Sequence, residues 1–394
     1  MSGPLDGIRV LDLSRFIAGP LCAQLLGDMG GEVIKVERPR GEDARHHAPF
    51  IQDESMYVMM YNRNKLGVTL DSRHPDAKQL LERLILRSDV LVENYRPGTL
   101  AAMGFGYERI HELNPRMVIT SVSGFGQTGP ESSRALFDAI AQAMSGLMSV
   151  TGAADSEPTL TGVFIADHIA AYVAALGTMF ALFARERTGI GQIVDVASLD
   201  ALVSCLGTLP SAYATLNAAP QRNGSRDALT APANVFRAAD GHVYIHAGTD
   251  PLWPRLCAAM GRPELGQDPD YATVPDRMRR VDELEKIVAQ WVATLTIAEA
   301  SKVLADAGIP FGPVATIPQI MASPQLRARE MFVEVRHSKV GPVTLLGLPI
   351  KLSATPGVIS KAPPTVGEDN AAVYGEMLGL SPEEIGELHN SGAI

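Results

Sequence analysis

The chain has 394 residues, 46% of them hydrophobic and 20% charged, with a formal net charge of −10. That length predicts two or three domains and the apolar share supplies a sizeable core. The acidic balance argues against a general nucleic-acid binder, while leaving room for a local basic patch that faces a phosphorylated ligand. Cys22, Cys205 and Cys257 are odd in number and widely spaced, without a CxxC or a metal pattern, which fits buried thiols in a reducing compartment. Asp6 and Asp12 interrupt the N-terminal stretch, so it has neither the basic nor the unbroken apolar region of a signal peptide, and a cytoplasmic location is expected.

In chain order, residues 7–14 read as an apolar strand, Ala18-Gly19-Pro20 as a break, and 21–31 as a short helix that ends in paired glycines. A second strand begins at Glu32. The alternation continues with a strand at 66–71, a helix from Pro75 to about Arg87, a strand at 90–95, a helical piece at 107–113 and a strand at 117–123. Strands alternating with helical patterns predict parallel βαβ units, hence an α/β, doubly wound, Rossmann-like large domain. Helices then dominate through 137–149 and a long apolar run, before another strand at 193–198. The polar stretch 221–230 marks a boundary, after which a hairpin turning at Asp240-Gly241 and helices at 251–260, 280–295 and 297–307 predict a smaller α+β domain. Residues 308–314, with two prolines and two glycines, read as a connection; 332–353 returns to strands, and Ser381 with Glu384 opens a capping box. The expected domains are 1–225, 226–325 and a C-terminal segment, 326–394, that returns to the large domain.

The run from Ile169 to Ala184 carries no charge, so it predicts a helix without a solvent face, buried in a protein core or in lipid. It is too short for a comfortable span, and Arg185, Glu186 and Arg187 followed by Gly189 and Gly191 give a soluble helix stop, so a core helix is expected. Asp167 falls in its first turn, where unpaired N–H groups and the positive dipole end favour a carboxylate. Taken alone, such an acid is more often structural than catalytic.

Gly124, Gly126 and Gly129 match GxGxxG, yet the match follows a late strand, Pro130 comes directly after, and no acid closes a following strand. A turn that lets backbone approach something closely is the better reading. Arg38, Lys65, Arg73, Asn94 and Arg96 lie near the ends of successive strands, where a parallel sheet binds ligands. Arginine forks there suit a polyphosphate, and Tyr95 could cover an adenine. His168 adjoins Asp167 but projects about 100° away on a helix, and His46-His47 lie in a loop without ligand spacing. Neither HExxH nor GxSxG occurs, which disfavours zinc and serine hydrolase chemistry.

With these stretches placed, the chain resembles the class III CoA-transferase family, which includes formyl-CoA transferase, carnitine CoA-transferase and α-methylacyl-CoA racemase. The likeness covers nearly the whole chain and rests on PLDGIRVLDLS, AGPLCAQLLGDMGGEVIKVERP, YNRNK, VENYRPG, MGFGY, LNPRMVITSVSGFGQTGP, the Asp167 segment with ERTGIGQ, and GIPFGPV. The resemblance implies Asp167 as nucleophile, an interlocked homodimer, and a large domain built from both ends of the chain. It implies CoA contacts at Ile17, Ala18, Arg38, Leu70, Arg73, Asn94, Tyr95 and Arg96, a further phosphate contact at Arg134, and substrate-side residues at Tyr57, Phe137 and Asp138. It implies coenzyme A or acyl-CoA as a substrate, with no tightly bound cofactor and no metal; the partners expected are an acyl-CoA and an organic acid, with neither nucleic acid nor membrane. The reaction it implies moves CoA between an acyl-CoA and a free carboxylic acid through aspartyl anhydride and aspartyl-CoA thioester intermediates. Formyl-CoA transferase has Gln, Tyr and Glu where this chain has Ile17, Phe137 and Asp138, and a glycine tetrad absent here. Those departures argue against formate and oxalate and towards a larger or less polar acid. The racemase branch has a histidine base at the place of Phe137, which disfavours racemisation. A racemase or isomerase and a non-catalytic CoA-binding subunit stand as alternatives.

Overall fold

A computed structural model describes residues 3–394 and divides them into two compact units. The first comprises the chain up to Leu147, Leu160–Ser211 and Pro324–Ile394; the second comprises Met148–Thr159 and Ala212–Ser323.

The first unit is built on six parallel strands: β1 (Arg9–Asp12), β2 (Glu32–Glu37), β3 (Lys65–Thr69), β4 (Val90–Glu93), β5 (Val118–Ser123) and β6 (Ile193–Ala197), in the order β3-β2-β1-β4-β5-β6. That reversal on either side of β1 and β4 is the doubly wound arrangement, with a crevice at the carboxyl ends of the strands where the order switches. Strands buried on both faces need apolar side chains throughout, and Val90, Leu91 and Val92 are fully buried. Helix α1 (Ala18–Asp28) begins three residues earlier than the sequence pattern suggests. Pro20 lies in its first turn, where the missing N–H is no loss.

β3 is an edge strand, and the C-terminal segment covers it. Asp369 accepts from the Gly67 N–H at 2.7 Å, Asn370 accepts from the Thr69 N–H at 2.9 Å, and the Tyr374 hydroxyl donates to the Thr69 carbonyl at 2.7 Å. These groups would otherwise be an open template for another strand. A Cβ on Gly67 would lie 2.8 Å from Pro364, so only glycine admits this cover. Ser381 and Glu384 form the expected capping box.

The apolar helix, α5 (Ile165–Thr188), follows α2 (Ala77–Leu86), α3 (Tyr107–Leu113) and α4 (Asp138–Met144). The predicted helix at 137–149 is interrupted at Gly146, whose φ is +93°. One face of α5, formed by Ala166, Ala170, Ala171, Ala174 and Ala181, is buried; its small side chains let the helix lie close to α1 and β5. Thr178 on the same face reaches the Thr120 hydroxyl at 2.6 Å. The opposite face is open: Leu176, Phe180 and Phe183 are 53%, 64% and 68% exposed. All-round burial, expected from the absence of charge, therefore does not hold within one chain. Composition reports that a face shuns water and says nothing about what covers it.

In the second unit β7 (Ala233–Ala238), β8 (Gly241–His246) and β9 (Phe311–Pro313) form an antiparallel sheet in the order β9-β8-β7. Residues read as a connection thus supply an edge strand, the position where proline is tolerated. Val243, Ile245, Trp253, Leu256, Leu284 and Val288 form its core. The buried Arg277 guanidinium is satisfied by the carbonyls of Ala231, Tyr271 and Gly248 and by Asp250.

Candidate active site

Asp167 lies in the first turn of α5, whose N-cap residue, Phe164, provides no side-chain acceptor. The cap comes from another helix. Asp138, the first residue of α4, accepts from the N–H groups of Ala166 at 2.7 Å and Asp167 at 3.3 Å, and its second oxygen accepts from Gln142 at 2.7 Å. Orphan N–H groups at a helix start need such a partner when buried. The result reverses the electrostatics expected at Asp167. The first-turn donors are spent on Asp138, whose charge is left beside the second carboxylate. Burial, and after it Asp138, pushes Asp167 up from 3.8 to about 7. Among the described residues no cation contributes to that balance.

Tyr57 and Tyr61 lie close enough to feel the charge of this acid, and further rings pack on them. Tyr57 packs against Phe164 with centroids 6.2 Å apart and against Tyr61 at 5.8 Å. His47 lies on Tyr57 at 5.3 Å, and Phe16 joins His47 at 6.0 Å to Phe137 at 6.4 Å. Burial raises the phenol of Tyr61 to about 12, with Asp167 the next cause, and raises Tyr57 higher still for the same two reasons. Both hydroxyls therefore stay protonated near neutral pH and can donate. Of this group the sequence pointed to Tyr57 and Phe137; Phe16, His47 and Tyr61 come together only in the fold.

Phe16 has a positive φ, 64°, which a bulky residue adopts only when held there. Three acceptors hold its loop: Asp12 takes the Ser14 N–H at 2.9 Å, Asn94 the Arg15 N–H at 2.8 Å, and Glu42 the Phe16 N–H at 2.9 Å. Beneath them Lys65, expected near a phosphate, is fully buried and donates to Asp12 at 2.8 Å, the Pro20 carbonyl at 2.8 Å and Asn62 at 2.9 Å. All three of its donors are used, so Lys65 belongs to the scaffold and not to a ligand site. The neighbouring Arg63 is likewise buried in a forked pair with Asp28, so the YNRNK stretch is a structural tie.

At the carboxyl ends of β1 to β4 a small cleft is lined by Ser14, Arg15, Arg38, Leu70, Ser72 and Tyr95, among others. Arg15 was not anticipated, although it follows β1 as Arg38 follows β2. Its guanidinium lies over the Tyr95 ring at 5.0 Å, on a face proposed for an adenine, and shares Asp43 with Arg38, at 3.8 and 2.5 Å. Asn94 spends both amide atoms on the Arg15 backbone. Ile17 is buried, and Ala18 is buried at the start of α1. Arg73 is exposed and turns to Asp71 at 3.2 Å. Arg96 lines a second small cleft with Gly98 and Tyr107. Arg134 lines neither; it pairs with Glu131 at 2.8 Å over the Phe125 ring. In the glycine loop, Gly126 and Gly129 have φ of 83° and 95°, which fits a tight turn, and the Gln127 N–H is taken by Asp195 at 3.0 Å.

Parallel sheet, cleft and family pattern together make the chain an α/β transferase. It belongs to the CoA-transferase family III, whose pattern matches residues 5–370. It is similar to succinyl-CoA–D-citramalate CoA-transferase of Chloroflexus aurantiacus, 36% identical over 394 residues that cover 99% of this chain and 98% of the relative. A formyl-CoA:oxalate CoA-transferase of Rhodopseudomonas palustris is 35% identical over 419 residues, covering 100% and 98%. A crystal structure of a CaiB/BaiF family protein from Brucella suis superposes with a TM-score of 0.86 at 32% identity, covering 96% of this chain and 100% of that one. Members of the family act on CoA thioesters, and this chain is a CoA-transferase.

Proposed function

We propose that this enzyme transfers CoA between an acyl-CoA and a free carboxylic acid with Asp167 as the nucleophile. The observation that carries this reading is a carboxylate beside the Tyr57 and Tyr61 phenols that burial and Asp138 push up to about 7, with no cation of the described residues set against them. A carboxylate pushed up in this way is a stronger nucleophile than an ordinary one and is still largely ionised just above neutrality. One Asp167 oxygen attacks the thioester carbonyl carbon, the C–S bond of the tetrahedral adduct breaks, and CoA leaves as thiolate, with the acyl group left on Asp167 as a mixed anhydride. The thiolate then attacks the Asp167 carboxyl carbon and expels the donor acid, leaving CoA as an aspartyl thioester. The acceptor carboxylate reverses these two steps. Each addition places charge on an oxygen, and the protonated Tyr57 and Tyr61 hydroxyls are the side-chain donors for it.

The cleft at the strand ends supports CoA binding there, with Arg15 and Arg38 as phosphate partners once Asp43 is displaced, and Arg73 and Arg96 at its margins. The open apolar face of α5 supports a homodimer that covers it. Phe180→Asp should then shift the enzyme to monomer by light scattering.

The test of the reaction is to incubate the enzyme with a panel of acyl-CoAs, trap with hydroxylamine or borohydride, and locate the modified residue by mass spectrometry. A donor that supports exchange yet leaves no adduct at Asp167 overturns the mechanism. A pKa near 7 also suits a base that removes an α-proton, which keeps acyl-CoA racemisation as the second reading. Deuterium entering the α-carbon with no second acid present would decide for it.

A further inference from the structure

The chain leaves the first unit after Leu147 and re-enters it at Leu160, so α4 and the start of α5 are neighbours joined only through residues of the second unit. One side chain clasps them directly. Gln142 is buried on α4, one turn after Asp138 and on the same face. Its Oε1 accepts from the Thr161 N–H at 3.0 Å and the Thr161 hydroxyl at 3.2 Å. Its Nε2 donates to the Asp138 carboxylate at 2.7 Å and the Val163 carbonyl at 3.3 Å. A side-chain amide has two donor and two acceptor positions, and here all four are used. The Thr161 N–H can only donate and the Val163 carbonyl can only accept, so the amide faces one way.

The clasp holds the acid that stands beside the nucleophile. Phe164 offers no cap, so Asp138 must stay on the Ala166 and Asp167 N–H groups for these to be satisfied. Its partners among the described residues are those two N–H groups and the Gln142 amide, none of them a cation. A lysine in the place of Gln142 would fix the carboxylate and offset its charge. The amide fixes it and offsets nothing, which leaves the full charge to act on Asp167.

We propose that Gln142 is a positioning residue for the transfer reaction: acting through Asp138, it fixes the first turn of α5, and with it the direction of the Asp167 carboxylate and the negative charge set beside it. This rests on the CoA-transfer reading above. The other ionisable groups around the two acids are His168 on α5, Tyr57 and Tyr61 with His47 and Glu42 beyond Tyr57, and the exposed Asp200 on the helix Ser198–Ser204 packed against α4. They are unchanged in every variant below, so a difference between variants is read at positions 138 and 142.

The test measures kcat, the acyl-CoA KM and the pH profile of kcat/KM, with the fastest-exchanging pair from the panel above, beginning with succinyl-CoA and glutarate. Gln142→Leu should lower kcat about 10- to 100-fold, the range of one hydrogen bond to a buried charge, with the acyl-CoA KM within about threefold and the far-ultraviolet circular dichroism unchanged. In Gln142→Glu an oxygen replaces the donor that faced Asp138 and the Val163 carbonyl, so the two acids must hold a proton between them. Its profile should gain a limb that falls on the alkaline side, which the wild-type enzyme lacks. Adding Asp138→Asn exchanges donor and acceptor between the two positions: the new amide donates to the new carboxylate and still offers an oxygen to the Ala166 N–H. The alkaline limb should then disappear, a rescue that general damage to the core would not give. Wild-type kcat in Gln142→Leu, a wild-type profile in Gln142→Glu, or an alkaline limb that persists in the double variant each overturns the assignment and leaves CoA transfer intact. If Gln142→Leu does not fold, the two profiles decide. Absence of exchange in the wild-type enzyme, and of any adduct at Asp167, overturns the CoA-transfer reading itself and this assignment with it.

Discussion

Asp12 and Asp167 are the same side chain in the same compact unit, and burial pushes both carboxyl groups up. At Asp12 the charges of Lys35 and Lys65 outweigh burial and bring it below its ordinary value; Lys65 and the Ser14 N–H bind it at 2.8 and 2.9 Å. At Asp167 the neighbouring charge is Asp138, which adds to burial, and the group rises to about 7. A paired acid is a fixed part of the scaffold, whereas an acid beside another acid holds free energy that bond formation can release. The difference comes from partners, not from depth.

The comparison is broken most severely by removing the acid that has no cation. Asp167→Ala should lower CoA exchange by at least on the order of 10³-fold, since a covalent relay loses its only carrier, while the far-ultraviolet circular dichroism stays unchanged. Retained exchange would mean that another group carries CoA. The opposite operation belongs to Asp12. Lys65→Met removes the cation that hydrogen-bonds Asp12, leaving only the charge of Lys35 beside it, and takes the donor from the Pro20 carbonyl and Asn62, so it should cost about 3–5 kcal/mol of stability, read from urea unfolding. Adding Asp12→Asn to that variant should recover part of the loss. If the double variant is no better than the single, the charge pair is not what Lys65 supplies.

The contrast between these acids was only half legible in the sequence. The strand and helix periods located both: Asp12 ends an apolar alternation, and Asp167 begins an uncharged run of helical length. Which carboxylate would be paired was not legible, because the partners are distant in the chain. Lys65 stands 53 positions from Asp12, and Asp138 reaches Ala166 across 28. Lys65 fitted the rule that cations after parallel strands meet ligands, but it sits at the start of β3 and points inward, and the rule has no term for direction. Arg15 obeyed that rule and was passed over. The glycine loop forms the turn expected of it, while the open face of α5 was not legible, because an uncharged surface reads the same whether covered by its own chain or by something else.

A milder way to sharpen the comparison is to titrate it. An Asp167 that acts as a carboxylate should give a kcat/KM that rises through about pH 7 and levels above it. Asp138→Asn removes the second cause of the shift while keeping an oxygen for the Ala166 N–H, so the inflection should move to lower pH. An inflection that stays near 7 in that variant would assign the whole shift to burial.

The smallest effect concerns stability, and its sign separates the two acids. Asp167 keeps its proton in the folded chain up to about pH 7, while in the unfolded chain it loses it near 3.8. Between those values the folded state binds more protons, so stability falls as pH rises through this window and stays lower above it. Asp12 runs the other way: its folded value is depressed, so its contribution is full above the unfolded value and is lost as pH falls through the folded one. Asp167→Asn removes the titration while keeping the shape, and should stabilise the protein at pH 8 but not at pH 4. The full shift would correspond to about 4 kcal/mol, and partial exposure of the carboxyl reduces the expected gain to about 1–2 kcal/mol. Urea midpoints of the two proteins should therefore diverge from pH 4 to about 7 and keep a constant separation above it. Parallel curves would show that Asp167 titrates as an ordinary exposed acid, and the chemical distinction from Asp12 would then have to come from geometry alone.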